Sequence, residues 1–201
     1  MINIKVNGIT ELKQLKQLDG LNIDFAGFDF NEKSPWYIGG KIAGKELEAA
    51  DLDIRKVGVF ADKGYDEIMK AIGGYGIDVV QLQGNEAPEL CERLSGETEV
   101  IKAFTISDSK IPIEEIIADY DEVCDYYLFV AGKLTDWKQL TKSRIEKPFF
   151  LSGNIGPGDV KKLKTFTHPD FFGVDINEQF EKTVGIKDMV SILQFKQGFK
   201  N

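Results

Sequence analysis

Soft metal ligands are scarce in these 201 residues: there is one histidine, His168, and there are two cysteines, Cys91 and Cys124. Two cysteines cannot build a disulfide framework, nor can they make a four-ligand zinc site. Positive charge is in deficit as well, with 25 Lys+Arg against 33 Asp+Glu and a formal net charge of -8. A surface of that sign disfavours broad contact with the phosphate backbone of nucleic acid, and disfavours anionic membranes for the same reason. No apolar run approaches the ~18–20 residues of a transmembrane helix. The opening Met1-Ile2-Asn3-Ile4-Lys5 lacks the apolar core of a signal peptide. Core-forming material is plentiful: 42% of the residues are hydrophobic and 29% charged, a balance that excludes disorder. The expectation is one soluble, cytoplasmic domain spanning residues 1–201. The sequence sets no oligomeric state.

Short β-branched or aromatic runs alternate with amphipathic stretches from end to end. Strands are expected at residues 2–6, 23–28, 55–60, 78–82, 100–104, 126–130, 148–151 and 171–176. Helical spacing of apolar residues, as in Leu12, Leu15 and Leu18, predicts helices at 11–18, 66–72, 86–94, 113–120, 136–140, 159–166 and 187–195. Residues 39–50 carry Gly39, Gly40 and Gly44, which lower helix propensity there. The strand-then-helix unit recurs eight times at about 25 residues each, near the lower limit for a right-handed βαβ crossover. Runs such as Val57-Gly58-Val59-Phe60 are continuous and apolar, as in a parallel sheet covered by helices. Eight such units fit a single (β/α)8 TIM barrel, whereas open doubly wound sheets commonly use five or six strands.

In a barrel the chemistry sits in the loops after the strands. The loop after strand seven is Ser152-Gly153-Asn154-Ile155-Gly156-Pro157-Gly158. Its glycines let the backbone approach a ligand, and its proline suits the first turn of a helix. A loop of this kind, leading into a helix N-terminus, is suited to an anion; an ordinary strand-to-helix turn is the plainer reading. Backbone groups of Gly153, Asn154, Asn177 and Glu178 are the expected phosphate seat, with Glu178 an unfavourable neighbour if its carboxylate turns inward. Lys102 is expected either to point into the barrel mouth or to snorkel to the rim. His168 reads as a solvated loop residue on the opposite face. Cys91 and Cys124 read as buried apolar residues. Asp119, Asp121, Glu122 and Asp125 read as a solvated acidic face.

Several segments carry a resemblance in consistent order. Lys5-Val6-Asn7-Gly8-Ile9-Thr10 resembles the Lys-Ile-Cys-Gly-Ile-Thr opening of phosphoribosylanthranilate isomerases. Lys33-Ser34-Pro35 with Tyr37, Val80-Gln81-Leu82-Gln83-Gly84-Asn85-Glu86, Ile101-Lys102-Ala103-Phe104, Leu151-Ser152-Gly153-Asn154, Gly173-Val174-Asp175-Ile176-Asn177 and Gly185-Ile186-Lys187-Asp188 are similar to later family segments. The resemblance runs over essentially the whole chain. It implies a TIM barrel and an Amadori rearrangement of N-(5-phosphoribosyl)anthranilate in tryptophan biosynthesis, without metal or cofactor. It further implies a cysteine base ending strand one and an aspartate acid ending strand six. Asn7 and Val130 occupy those positions here. Trp36 stands where the family has arginine, and Gln83 where it usually has histidine. The family's glycine-rich stretch after the acid is missing, since Gly132-Lys133-Leu134-Thr135 leads straight to Asp136.

By the same resemblance Lys33, Trp36, Gln83, Lys102 and Asp175 are substrate-binding positions. Loss of a general acid or base costs typically ~10²–10⁴ in rate, and losses within one catalytic unit do not add. Two readings therefore stand: an isomerase working with substitute groups, or a non-catalytic paralogue binding a phosphorylated small molecule or a partner protein. Asn7 also precedes Gly8, a pair prone to deamidate to a carboxylate.

Overall fold

The computed structural model describes residues 2–106, 111–132 and 136–200; Lys133, Leu134 and Thr135 lie outside them. Eight parallel strands close into a barrel in sequence order: β1 Asn3–Val6, β2 Phe25–Asp29, β3 Arg55–Phe60, β4 Val79–Leu82, β5 Glu99–Ile106, β6 Tyr126–Ala131, β7 Phe149–Ser152 and β8 Phe171–Ile176. Every residue of β2 and of β4 is buried, because one face packs inside the barrel and the other under helices. The closure is made by β1, which pairs β8 with Lys5 beside Asp175.

An aspartate just before β2, β4 and β6 pins the preceding odd strand. Asp24 Oδ2 accepts from Ile4 N (2.8 Å), Asp78 Oδ2 from Lys56 N (2.7 Å) and Asp125 Oδ2 from Val100 N (2.8 Å). These charge-assisted bonds fix neighbour to neighbour at the start of three strand pairs, which helps hold the register.

Strand alternation divides the core in two. Inside the barrel lie Phe25, Val57, Val59, Val79, Ile101, Leu128 and Phe150, with Val130 and Phe172 packed against them. The outward side chains join the larger cluster beneath the helices α1 Leu12–Gly20, α2 Gly44–Glu48, α3 Tyr65–Tyr75, α4 Pro88–Ser95, α5 Ile113–Ile117, α6 Val160–Thr165 and α7 Met189–Gly198.

The helix expected at 113–120 ends at Ile117 and continues as a 3-10 turn, and other helices differ from expectation too. The glycine-bearing 39–50 stretch keeps only the five residues of α2. The β6–β7 crossover is a 3-10 helix, Asp136–Lys142, rather than an α-helix. Trp137 and Leu140, three apart, are both buried there (2% and 0% exposed), and the three-residue turn eclipses them on one side. Helix α7 starts two residues later than its apolar spacing suggests, where Asp188 Oδ1 accepts from Val190 N and Ser191 N as an N-cap. The residues ahead of it form a hairpin in the loop after β8, with β9 Glu181–Thr183 against β10 Ile186–Lys187.

His168 is not solvated: its side chain is 4% exposed and its ring lies edge-on to Phe149. Nδ1 accepts from Asp170 N and Nε2 faces Ser143 O, both at 3.1 Å. That pairing fits the neutral tautomer with its proton on Nε2. Two of the four far-side acids are structural acceptors too, Asp121 for the Tyr127 hydroxyl and Asp125 for β5.

Candidate active site

The mouth at the C-terminal strand ends is built from β1 round to β8. Asn7 follows β1 and its backbone N–H donates to Ile176 O (2.8 Å). Its side chain folds back, so that Oδ1 accepts from Gly8 N at 2.9 Å. The amide lies across β2 at Gly27, where any Cβ would overlap Asn7 Oδ1; only glycine permits that approach. Across the barrel, half-buried Val130 closes β6 on the interior apolar cluster, between Thr105 of β5 and Ser152 of β7 in register. Neither strand end carries a group that exchanges a proton near neutral pH.

Two buried ion pairs sit in the mouth. Lys5 Nζ lies 2.8 Å from Asp175 Oδ1, with side-chain exposures of 0% and 6%. Ser152 Oγ donates to the other oxygen, Oδ2, at 3.1 Å. Above them, Lys187 Nζ meets Glu181 Oε1 at 2.6 Å and also donates to Asn177 Oδ1. Burial lowers the Lys187 ammonium's pKa, and the hydrogen bond and charge of Glu181 work against that shift. Glu181 Oε1 also accepts from Trp36 Nε1 (2.8 Å) and Gly185 N (3.1 Å). Gly185 O in turn accepts from Thr10 Oγ1 and Gln14 Nε2, each at 2.8 Å. The hairpin is thus tied to the first βα loop, α1 and Trp36. One buried acceptor, Gln81 Oε1, has no partner among the described residues.

A cleft of about 200 Å³ between the loops after β7 and β8 is lined by Trp36, Gly153, Asn154, Asp175, Asn177 and Glu178, together with Ser152, Ile155 and Gln179. All four expected phosphate-seat residues and two of the expected substrate positions therefore share one space. Gly153 has φ +99°, and a Cβ there would overlap Ala131 O. Asn154, at φ 47°, accepts from Gln179 Nε2 through Oδ1 (2.8 Å). The helix end behind the loop already has an acceptor, because Gly156 N donates to Asp159 Oδ2 at 2.8 Å. The Glu178 side chain is exposed at the cleft edge.

The remaining expected positions lie elsewhere. Lys33 is exposed and outside the cleft. Gln83 is exposed and lines a separate cleft of about 440 Å³ with Asn85, Thr105 and Tyr120. Lys102 does not point into the barrel: its neighbours Ile101 and Ala103 do, while Val100 and Phe104 share its outward side. Its ammonium, 3% exposed, holds the loop after β4 through Glu86 Oε2 (2.8 Å) and Gly84 O (2.7 Å). Lys102 nevertheless lines the same cleft as Gln83, so the structure brings those two expected positions together. Cys91 and Cys124 are buried, and desolvation pushes their thiols up to about 11 and about 12, so neither is a nucleophile at neutral pH.

Lys5, Ser152, Glu181 and Lys187 are mouth residues for which the sequence suggested no role. The one signal for Lys5 was a charged residue between Ile4 and Val6 in an otherwise apolar strand. Among the described residues, no group of three or more His, Cys, Asp or Glu could hold a metal ion. No helix there is long and apolar enough to cross a membrane.

The family model for N-(5'-phosphoribosyl)anthranilate (PRA) isomerase matches residues 4–198. An isomerase of that name from Parabacteroides distasonis is 35% identical over 206 residues, covering 96% of this chain and 91% of the relative. One from Phocaeicola vulgatus is 30% identical, covering 96% and 95%. The crystal structure of phosphoribosyl anthranilate isomerase from Thermotoga maritima superposes with a TM-score of 0.88 at 28% identity, covering 100% of this chain and 99% of that one. Another solved isomerase, in complex with reduced 1-(o-carboxyphenylamino)-1-deoxyribulose 5-phosphate, superposes at 0.84 with 27% identity over 100% and 99% of the two chains.

Proposed function

The chain belongs to the N-(5'-phosphoribosyl)anthranilate isomerase family, and on that premise we propose that it binds a phosphorylated small molecule without running the family's isomerisation at family rates. The phosphate sits against Gly153, Asn154, Asn177 and Glu178, and the rest of the ligand lies toward Trp36 and Asp175. The observation that carries this reading is the chemistry at the ends of β1 and β6. An amide whose oxygen is engaged by Gly8 N–H and an isopropyl group on an apolar cluster occupy the base and acid positions implied by the resemblance. An Amadori rearrangement needs a proton delivered to the ring oxygen and another removed from C2, and these two side chains do neither. The protein acts in the cytoplasm, with no metal, cofactor, nucleic acid or membrane partner.

A second reading, an isomerase with substitute groups, draws support from the buried Lys5–Asp175–Ser152 chain, whose Asp175 and Ser152 line the same cleft. Both carboxylate oxygens of Asp175 are already engaged, Oδ1 by Lys5 and Oδ2 by Ser152. Calorimetric titration with reduced 1-(o-carboxyphenylamino)-1-deoxyribulose 5-phosphate, the molecule bound by the solved relative, tests the proposal. Saturable binding without turnover of the true substrate is expected. Failure to bind the analogue at any concentration tested removes the phosphorylated ligand from the account.

A further inference from the structure

Asn7-Gly8 is the only Asn-Gly step in the chain, and the fold holds the Asn7 side-chain amide against the Gly8 N–H. The Asn7 side chain is turned onto the following peptide, with Oδ1 2.9 Å from Gly8 N. Packing across Gly27 keeps it in that pose. The flanking peptides are anchored, Asn7 N to Ile176 O at 2.8 Å and Ile9 N to Gly27 O at 3.0 Å. Gly8, at φ +72°, lies between those anchors, and its N–H is met by the Asn7 side chain itself. Asn7 is half-buried at the mouth, within reach of water.

We propose that Asn7 is a self-modification site at which the fold converts an amide into a carboxylate. Gly8 N attacks Asn7 Cγ and forms the N–C bond of a five-membered imide. The Cγ–Nδ2 bond breaks, and ammonia leaves with the proton lost from Gly8 N. Water then adds across one of the two imide C–N bonds, and no oxidant or reductant takes part. Opening to isoaspartate would insert an extra backbone carbon between two anchored peptides, so the anchors direct the ring toward aspartate. The product is a carboxylate two residues beyond Lys5 on β1, a proton acceptor that the asparagine does not provide. Val130 still offers no acid, so the modification supplies one half of a pair.

The test needs no ligand, and its outcome is therefore independent of the proposed binding function. Folded protein and urea-unfolded chain are incubated side by side in mildly alkaline buffer, and peptides are mapped by mass spectrometry with aspartate and isoaspartate separated. The folded sample is expected to exchange amide for acid at residue 7 at least as fast as the unfolded one, mainly to aspartate. Asn7→Gln, which would have to close a larger ring, is expected to abolish the exchange. An Asn7 that stays amide in the folded protein while the unfolded chain converts overturns the proposal, as does isoaspartate as the main folded-state product.

Discussion

Lys5 and Asp175 face each other across the β1–β8 closure of the barrel, ammonium to carboxylate at 2.8 Å, with the lysine side chain wholly buried. Such a pair is costly to break, because removing one partner strands the other charge away from water. Lys5→Ala is expected to destabilise the fold by about 3–5 kcal/mol, read from the urea midpoint at unchanged slope. Lys5→Met with Asp175→Leu, which removes both charges, is expected to recover much of that loss. A Lys5→Ala protein as stable as the parent would mean that the pair is not buried in solution.

The loop after β7 depends on backbone that few residues tolerate. Gly153→Ala combines a φ of +99° with overlap on Ala131 O, and strain of this kind costs of order 1–3 kcal/mol before any clash is added. It is expected to lower both stability and ligand affinity, so it makes a poor probe of binding alone. Asn154→Gly keeps the left-handed conformation at φ 47° and is expected to leave stability within about 0.5 kcal/mol while removing the contact to Gln179. Comparing the two by thermal unfolding and titration separates backbone from side-chain effects.

Lys187 gives a pH test with a definite sign. Burial lowers its pKa in the folded state, so between the lowered value and that of an ordinary lysine the unfolded chain holds more protons. Stability therefore rises with pH through that window, and the cost of the buried charge is fully present below it. Unfolding free energies of wild type and Lys187→Met, taken at a series of alkaline pH values, are expected to diverge in favour of wild type as pH rises. A constant difference, or one that shrinks, contradicts the burial argument.

The barrel was legible because parallel strands covered on both faces must be apolar throughout, as in Val57–Val59 and Val79–Val80. The glycine loop after β7 was legible for a similar reason, since its residue types answer to backbone conformation. The β9–β10 hairpin was not legible. Its strands are three and two residues long, and it is held by Thr10 and Gln14 from the other end of the chain. No local pattern encodes a bond across more than 170 residues. Lys102 shows a different limit. Apolar residues flank it on both faces of a doubly covered strand, so alternation alone does not say which side faces the barrel axis; the Glu86 contact does.

Restoring the missing pair tests the division of labour at the mouth. Asn7→Cys with Val130→Asp returns a base and an acid to the ends of β1 and β6. The new carboxyl would stand between Thr105 and Ser152 in register. Each group is worth roughly 10²–10⁴ in rate when it works within an intact unit. The double variant is expected to give measurable isomerisation and the single variants almost none. Equal recovery in either single variant would show that one of the two positions is not part of the reaction.

The most direct test is a single-turnover assay on the unaltered protein, in excess over phosphoribosylanthranilate, with residue 7 first confirmed as asparagine by peptide mapping. The expected result is substrate decay at its spontaneous rate, with no 1-deoxyribulose product above background. Conversion at a rate typical of enzymes, about 1–10³ s⁻¹, would contradict the account, because it would require an acid and a base other than the side chains at residues 7 and 130.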